Sequence, residues 1–300
     1  MHEINQYGSG VIVGGGNLYE NGELEINSTA LKALDVPLMI FSVSRGRIYN
    51  RDLNLVDRTD VMTDDKIRIL NKKADITLSR DITTQKYLES LDIYNLLGGC
   101  PTLYLNEIPQ HLMPISDVGK TDALISVRTP ALMNIPLEYQ YALREQIREI
   151  ISYLKGNGYK VIKLFCHDHR DIAFAASFKD MEYIYSDDIY TYISYLRSTR
   201  LNVTFRLHSF LPALSYDIPA IKISYDERAF SLTKTIGMGE WNIDMVKQDM
   251  VEEVKKRVQS LNDFEIMKEN AKKTTWKKLK DVQLNSFKQF ADLVHKRTGK

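Results

Sequence analysis

Short apolar runs recur along the chain at Val11–Val13, Leu38–Val43, Asp75–Ser79, Ala123–Val127, Val161–Cys166, Asn202–Phe205 and Ala220–Ser224. Runs of this length predict buried strands, and helical spacing between them predicts parallel α/β structure, because parallel neighbours require a crossover connection. Ala142, Ile147, Ile150, Ile151 and Leu154 share one helical face, which Gly156-Asn157-Gly158 then ends. Ile189, Tyr192, Ile193 and Leu196 repeat the pattern behind a predicted N-cap at Ser186. Both stripes read as core packing.

Periodicity fades between Leu103 and Ile125, where Asn-Glu-Ile-Pro-Gln-His-Leu-Met-Pro-Ile-Ser-Asp-Val-Gly-Lys carries two prolines and a glycine. The expected division is therefore into residues 1–110 and 111–300. No clear strand follows Ser224; Val251, Val254, Val258 and Leu261, then Leu284, Phe287, Phe290, Ala291 and Val294, predict amphipathic helices closing the second unit. No repeat or low-complexity segment is evident.

Composition sharpens this picture. Three hundred residues with 44% apolar content bury a large core and fit two domains better than one. Lys plus Arg number 40 against 39 Asp plus Glu, a net charge of +1 that argues against a dedicated nucleic-acid binder and favours small-molecule chemistry. The segment from Val246 onward is basic, with 14 Lys/Arg against 8 Asp/Glu, which reads as a solvated face or as peripheral contact with an acidic partner or anionic membrane. Cys100 and Cys166 form no disulfide framework, and no apolar run approaches the roughly 18 residues of a membrane span. With no signal-peptide pattern at the start, a soluble cytoplasmic chain is expected.

Candidate chemistry gathers at the predicted strand ends. Gly14-Gly15-Gly16-Asn17 directly follows the first strand, where glycines let backbone amides approach a ligand or simply allow a tight turn. It is not a dinucleotide fingerprint, since Gly8-Ser9-Gly10 precedes the strand. Arg80-Asp81 follows the third strand, with Asp81 placed to cap the next helix and Arg80 to bond a loop or an anion. Arg45-Gly46 occupies the equivalent edge after Leu38–Val43. Cys166-His167-Asp168-His169-Arg170-Asp171 offers an acid and base pair, a substrate contact or a polar loop; without a third zinc ligand of obvious spacing, no metal is expected. Val203-Thr-Phe-Arg-Leu-His-Ser209 delivers Arg206 and His208 to a strand end where a helix begins. A guanidinium fork, an imidazole and helix N-terminal amides there suit a phosphate or carboxylate, with purely structural roles as the alternative. Tyr225 and Arg228, after Ile218–Ser224, meet the same ligand or merely cover the strand end.

Taken in order, Gly14-Gly15-Gly16-Asn17, Ser79-Arg80-Asp81, Gly99-Cys100-Pro101-Thr102, the His167–Asp171 cluster, Arg206-Leu207-His208-Ser209 and Ile223-Ser224-Tyr225-Asp226 resemble the polysaccharide pyruvyl transferase family. The resemblance spans about Val11–Gly237 and is most specific in R-x-H-S with P-x-I-x-I-S-Y-D behind it. It implies two Rossmann-like domains in a GT-B arrangement with the site between them. It also implies transfer of the enolpyruvyl part of phosphoenolpyruvate onto two sugar hydroxyls, giving a pyruvate ketal and phosphate. By resemblance, Arg206 and His208 hold the donor's phosphate and carboxylate and His167 faces the cleft; Ser209, Gly15, Gly16, Asn17, Arg80, Tyr225 and Arg228 join the binding set. A general acid must protonate the donor methylene, with His208 the first candidate and His167 the second.

The implied partners are phosphoenolpyruvate and a saccharide or lipid-linked saccharide, with no further cofactor. Two departures stand out. The family usually has a βα segment with an N-x-G-D type motif before the glycine turn, so a first domain shortened at its N-terminus is expected. Arg228 stands where the family often has lysine, and a planar fork does not replace a point charge geometrically. A nucleotide-sugar glycosyltransferase and a non-catalytic carbohydrate- or anion-binding protein remain the alternatives, since a scaffold does not fix its chemistry.

Overall fold

Each of the seven apolar runs matches a strand to within a residue at either end in the computed structural model, which describes residues 1–298 except 21, 23, 109–111, 117 and 118. The boundary expected at 110/111 lies outside the described residues. The strands are β1 (Val11–Gly14), β2 (Leu38–Val43), β3 (Ile48–Tyr49), β4 (Leu55–Val56), β5 (Ile76–Ser79), β6 (Leu96–Leu97), β7 (Ala123–Ser126), β8 (Ile162–Cys166), β9 (Tyr183–Tyr185), β10 (Leu201–Thr204), β11 (Ala220–Ser224) and β12 (Ile243–Asp244). Sequence reasoning missed β3, β4, β6, β9 and β12, which at two or three residues are too short to show a period.

The α-helices are α1 (His2–Tyr7), α2 (Ser28–Lys32), α3 (Asp64–Lys73), α4 (Ile82–Ser90), α5 (Leu137–Gly156), α6 (Ile172–Ala176), α7 (Ile189–Arg197), α8 (Leu207–Ser215), α9 (Glu227–Thr235), α10 (Met250–Gln259), α11 (Leu261–Ala271) and α12 (Lys277–Thr298). Asp188, not Ser186, caps α7: its carboxylate accepts from Thr191 N–H at 2.8 Å, while Ser186 Oγ accepts from Asp188 N–H. On α5 the core face runs through Leu143 rather than the exposed Ala142.

Two parallel sheets result, one in the order β1-β2-β5-β6 and one in the order β12-β11-β10-β7-β8-β9. In the second sheet the chain starts at β7, builds outward through β8 and β9, then returns to the other side of β7 with β10. The connections after β7 and β10 therefore diverge, leaving a crevice at their carboxyl ends where such sheets bind ligands. Residues after β1 and β5 of the first sheet, with Arg58 after β4, face the same crevice.

The predicted closing helices divide between the halves. Val251 and Val254 of α10 are buried in the core of the second sheet. A π-helical turn at Lys272–Trp276 joins α11 to α12, which packs on the first sheet, with Phe290 against Met39, Ile76 and Leu78. The packed face of α12 includes buried Leu279, Gln283 and Ser286, whereas Leu284 is exposed, contrary to the predicted stripe. Gln283 Nε2 donates to Gly98 O at 2.6 Å. No helix among the described residues is long and apolar enough to cross a membrane.

The first turn of α4 is finished by the other half of the molecule. Its unpaired amides need acceptors; Asp81 caps Thr84 N–H at 3.0 Å, while Ile82 and Thr83 N–H donate to Thr235 and Ser231 of α9 at 2.9 and 3.0 Å. Ser231 Oγ in turn donates to Asp81 Oδ1 at 2.7 Å. Asp81→Ala, removing a fully buried cap and an inter-half acceptor together, is expected to cost about 2–4 kcal/mol. Urea unfolding measures this, and an unchanged midpoint would remove Asp81 from the contacts joining the halves.

Candidate active site

The crevice encloses about 710 Å³. Gly16, Asn17, Arg58 and Arg80 form one wall; Arg128, His167, Arg170, Arg206, His208, Lys222, Tyr225 and Arg228 stand among the residues of the other. Six arginines, a lysine and two histidines thus face a space where Asp226 is the only lining carboxylate among the described residues. Such a cleft favours anionic groups.

Several of the cationic groups arrive just after strand ends, whereas Lys222 lies within β11. Arg128 follows β7, His167 follows β8, Arg206 and His208 follow β10, and Arg80 follows β5. Asp171, fully buried, holds two of the arginines: Arg206 Nη2 donates to Oδ2, and Arg128 Nη1 lies 3.6 Å from Oδ1. Thr129 N–H donates to the same Oδ1 at 2.9 Å, fixing the carboxylate. Asp168 adds a contact to Arg128 at 3.4 Å and pairs with Arg170. Burial and the neighbouring Arg206 push Arg128 below the usual arginine range. Arg128 was absent from the sequence expectations, although its position directly after a predicted strand was the same signal that marked Arg80 and Arg206.

Three of these forks remain incompletely paired. Arg80 is 3% exposed and donates from Nη2 to Ser44 Oγ, yet its Nε has no partner. The Nε atoms of Arg128 and Arg206 are likewise buried without acceptors. Buried donors left unsatisfied cost free energy that an incoming anion returns as charge-assisted hydrogen bonds.

Arg228 is held differently. Its Nε donates to Asp226 Oδ2 at 3.0 Å, its Nη2 bonds the same oxygen, and its Nη1 lies 3.2 Å from Glu20 Oε2. Two acids therefore neutralise the arginine expected to bind ligand, and Glu20 and Asp226 lift its pKa despite burial. Burial is also what raises the Glu20 carboxyl.

The remaining expectations sort by geometry. Gly16 and Asn17 line the crevice, and Gly16 adopts φ +72°, a conformation that favours glycine. Gly15 stands behind them, its N–H spent on Phe41 O at 3.1 Å. Tyr225 lines the cleft. Ser209 does not: fully buried below the floor, it bonds Ser126 Oγ at 2.8 Å because the first turn of α8 points its side chain inward. Arg45 turns away, pairing with Asp57 at 2.9 Å and lying 4.1 Å over the Tyr87 ring. His169 is exposed beside Asp168, so the cluster at residues 167–171 spreads rather than converges.

The two cleft histidines are both pushed toward neutrality. His167, tucked against the Phe165 and Tyr192 rings, falls to about 3 through burial and then the charges of Arg206 and His208. His208 falls to about 4 through enclosure by the cleft walls and then Arg80, Arg206 and Arg228, although its side chain stays open to the cleft solvent. Buried Lys222, donating to the carbonyl oxygens of Phe205 and Ile223, drops to about 7.

A family model described as polysaccharide pyruvyl transferase matches residues 4–227. Among solved structures, the chain is similar to a Listeria monocytogenes protein described as a UDP-N-acetylglucosamine 2-epimerase, with 13% identity, TM-score 0.59, and 97% of this chain and 77% of that one covered. It is similar to the S. aureus MnaA–UDP co-structure at 14% identity and TM-score 0.57, covering 95% and 76%. The accessory secretory protein 1, 2 and 3 structure from Streptococcus pneumoniae gives 15% identity and TM-score 0.49; it covers 89% of this chain, which spans 51% of that one. Comparison with curated proteins gives no match. The architecture is accordingly a GT-B-like pair of parallel sheets with a helical C-terminus.

Folding stability should follow the His167 shift. Its pKa of about 3 in the fold, against 6.5 ordinarily, means that the unfolded chain binds the extra proton between those values. Stability from this group is thus full above 6.5 and lost as pH falls toward 3, with a limiting slope of about 1.4 kcal/mol per pH unit. Urea unfolding across that window should give a shallower pH dependence for His167→Gln than for the wild type; equal slopes would contradict the burial of a neutral imidazole.

Proposed function

Because the chain belongs to the polysaccharide pyruvyl transferase family, we propose that it transfers the enolpyruvyl group of phosphoenolpyruvate to two hydroxyls of a saccharide, forming a pyruvate ketal and releasing phosphate. The observation that carries this reading is the set of unpaired Nε donors on Arg80, Arg128 and Arg206 around one cleft. Phosphoenolpyruvate presents a phosphate and a carboxylate on a three-carbon frame, which suits forks on both walls.

The reaction proceeds by protonation of the donor methylene carbon, which leaves a cation at the adjacent carbon stabilised by its ester oxygen. One sugar hydroxyl adds there. The bond to the phosphate oxygen then breaks with its electron pair, and the second hydroxyl adds to the regenerated cation. Of the two hydroxyl protons, one balances the proton given to the methylene and the other leaves with phosphate. His208 supplies the first proton in this scheme, since it faces the cleft and a positioned acid of this kind accelerates such a step by about 100-fold or more. Burial and then three arginines lower its pKa; the charge of bound phosphoenolpyruvate offsets the arginines, so that His208 takes up a proton as the anion binds.

No cofactor beyond the donor enters the scheme, because protonation alone activates an enol ether. The unpaired, buried cysteines Cys100 and Cys166 fit the cytoplasm, where phosphoenolpyruvate is consumed. A lipid-linked saccharide is a suitable acceptor, with the basic C-terminal segment available for peripheral contact with an anionic membrane.

Calorimetric titration with phosphoenolpyruvate, run beside UDP, tests the donor. Saturable binding of phosphoenolpyruvate is expected, weakened about 10- to 100-fold by Arg206→Ala or Arg128→Ala. Binding of UDP alone would move the chain to nucleotide-sugar chemistry. Titrations in buffers of differing ionisation enthalpy should further show proton uptake with phosphoenolpyruvate that is reduced in His208→Ala; identical uptake in both would remove His208 as the acid.

A further inference from the structure

The two cleft histidines sit in different company. His208 makes no hydrogen bond to the described residues, and the non-helical backbone at that residue, φ −79° and ψ 17°, interrupts the start of α8. His167 is anchored: its Nε2 lies 3.1 Å from Ser126 Oγ, its ring stands 4.5 Å edge-on from Tyr192, and it rests 4.9 Å from Phe165.

Behind Ser126 runs a fully buried chain of polar groups. Ser126 Oγ is 2.8 Å from Ser209 Oγ, which accepts from Asn202 Nδ2 at 3.0 Å; all three residues are 0% exposed. The direction of this chain is set at its far end. Asn202 Nδ2 also faces the Ser209 backbone oxygen at 3.3 Å. A carbonyl accepts and never donates, so the amide nitrogen, not its oxygen, must occupy that position. Ser209 Oγ receives a proton from the amide and lies nearer to Ser126 Oγ, at 2.8 Å, than to Asn202 Oδ1, at 3.4 Å, and the buried Tyr192 hydroxyl also interacts with both serines; with Tyr192 donating into this pair and Ser209 donating to Ser126, the chain points toward the ring. Ser126 Oγ then donates to His167 Nε2. An imidazole that accepts at Nε2 carries its single proton on Nδ1.

We propose that His167 is a neutral hydrogen-bond donor to the bound ligand through Nδ1–H, locked in that tautomer by Ser126, Ser209 and Asn202, and that it is not a proton donor in the reaction. Ser126, Ser209 and Asn202 are positioning residues in this assignment. A second imidazolium in the cleft would face Arg206 and His208, both cationic when protonated, and would lose its serine donor, because a protonated ring has no acceptor nitrogen. The low pKa of the group is consistent with this arrangement. A donor at Nδ1 serves an anionic oxygen of the ligand without titrating, which leaves the proton inventory of the cleft to His208 and Lys222. The inference rests on the transferase reading only for the identity of the ligand; the tautomer stands on the protein's own hydrogen bonds.

Long-range nitrogen–proton correlation spectra of the full chain with labelled histidine test it directly, His167 being assigned by His167→Asn. The expected result is a single neutral form with Nδ1 protonated that persists well below the ordinary histidine pKa. Ser126→Ala should mix the two tautomers, and Ser209→Ala, one step further from the ring, should mix them less. An Nε2-protonated ring or ordinary titration in the wild type would overturn the proposal whether or not either variant folds. In phosphoenolpyruvate titrations, Ser126→Ala should bind about tenfold more weakly, the effect of misaligning one charge-assisted hydrogen bond. A locked tautomer in a protein that does not bind phosphoenolpyruvate would sustain the assignment of His167 and end the donor reading instead.

Discussion

One buried carboxylate makes the cleft possible. Arg128 and Arg206 carry like charges into the same enclosed space, where repulsion is screened far less than at the surface. Asp171, sealed from solvent and pinned by Thr129 N–H, sits behind both and compensates them without entering the cleft. A countercharge at the back leaves the front of each fork free. Were the acid instead inside the cleft, it would compete with any anionic ligand for the same donors. The Nε atoms of both arginines are buried without a hydrogen-bond partner among the described residues.

The sheet order places those groups together. In the second sheet, β7 and β10 are neighbours reached at distant points of the chain, so Arg128 and Arg206 emerge side by side though separated widely in sequence. β8 brings His167 to the other flank of β7, and β11 brings Tyr225, Asp226 and Arg228 beside β10. The buried polar chain uses the same adjacency. Ser126 ends β7, Asn202 lies on β10 and Ser209 opens the helix after β10, so a network that aligns one imidazole is assembled from neighbouring strands.

Local pattern revealed the strands that span four residues or more, because apolar runs bounded by turns depend on nearby chemistry alone. It also marked Arg80, His167, Arg206 and His208, whose strand-end positions are visible without knowing any partner. What it missed depends on distance in the chain. Ser209 looked like a ligand contact until the inward turn of α8 sent it to Ser126 and Asn202. Gly15 sits in a glycine turn, but its amide belongs to Phe41 of the neighbouring strand. The apolar stripe of α12 was misjudged because its landing surface is the first sheet, where polar Gln283 finds the Gly98 carbonyl and earns burial that hydropathy does not foresee.

Arg228 shows how one substitution of kind changes the architecture of the cleft. A lysine at this position would present a single mobile charge. The arginine fork instead meets Asp226 on its own loop and Glu20 from the opposite half at once. Its path requires room beside the chain: a Cβ added at Gly46 would fall 2.5 Å from Arg228 Cγ. Glu20 is 1% exposed, and Arg228 is the main charge offsetting its burial, so loosening the arginine weakens the compensation of a buried acid. Arg228 therefore trades ligand-binding charge for a fixed spacing between the walls. That spacing sets Arg80 on one side of the cleft against Arg128 and Arg206 on the other.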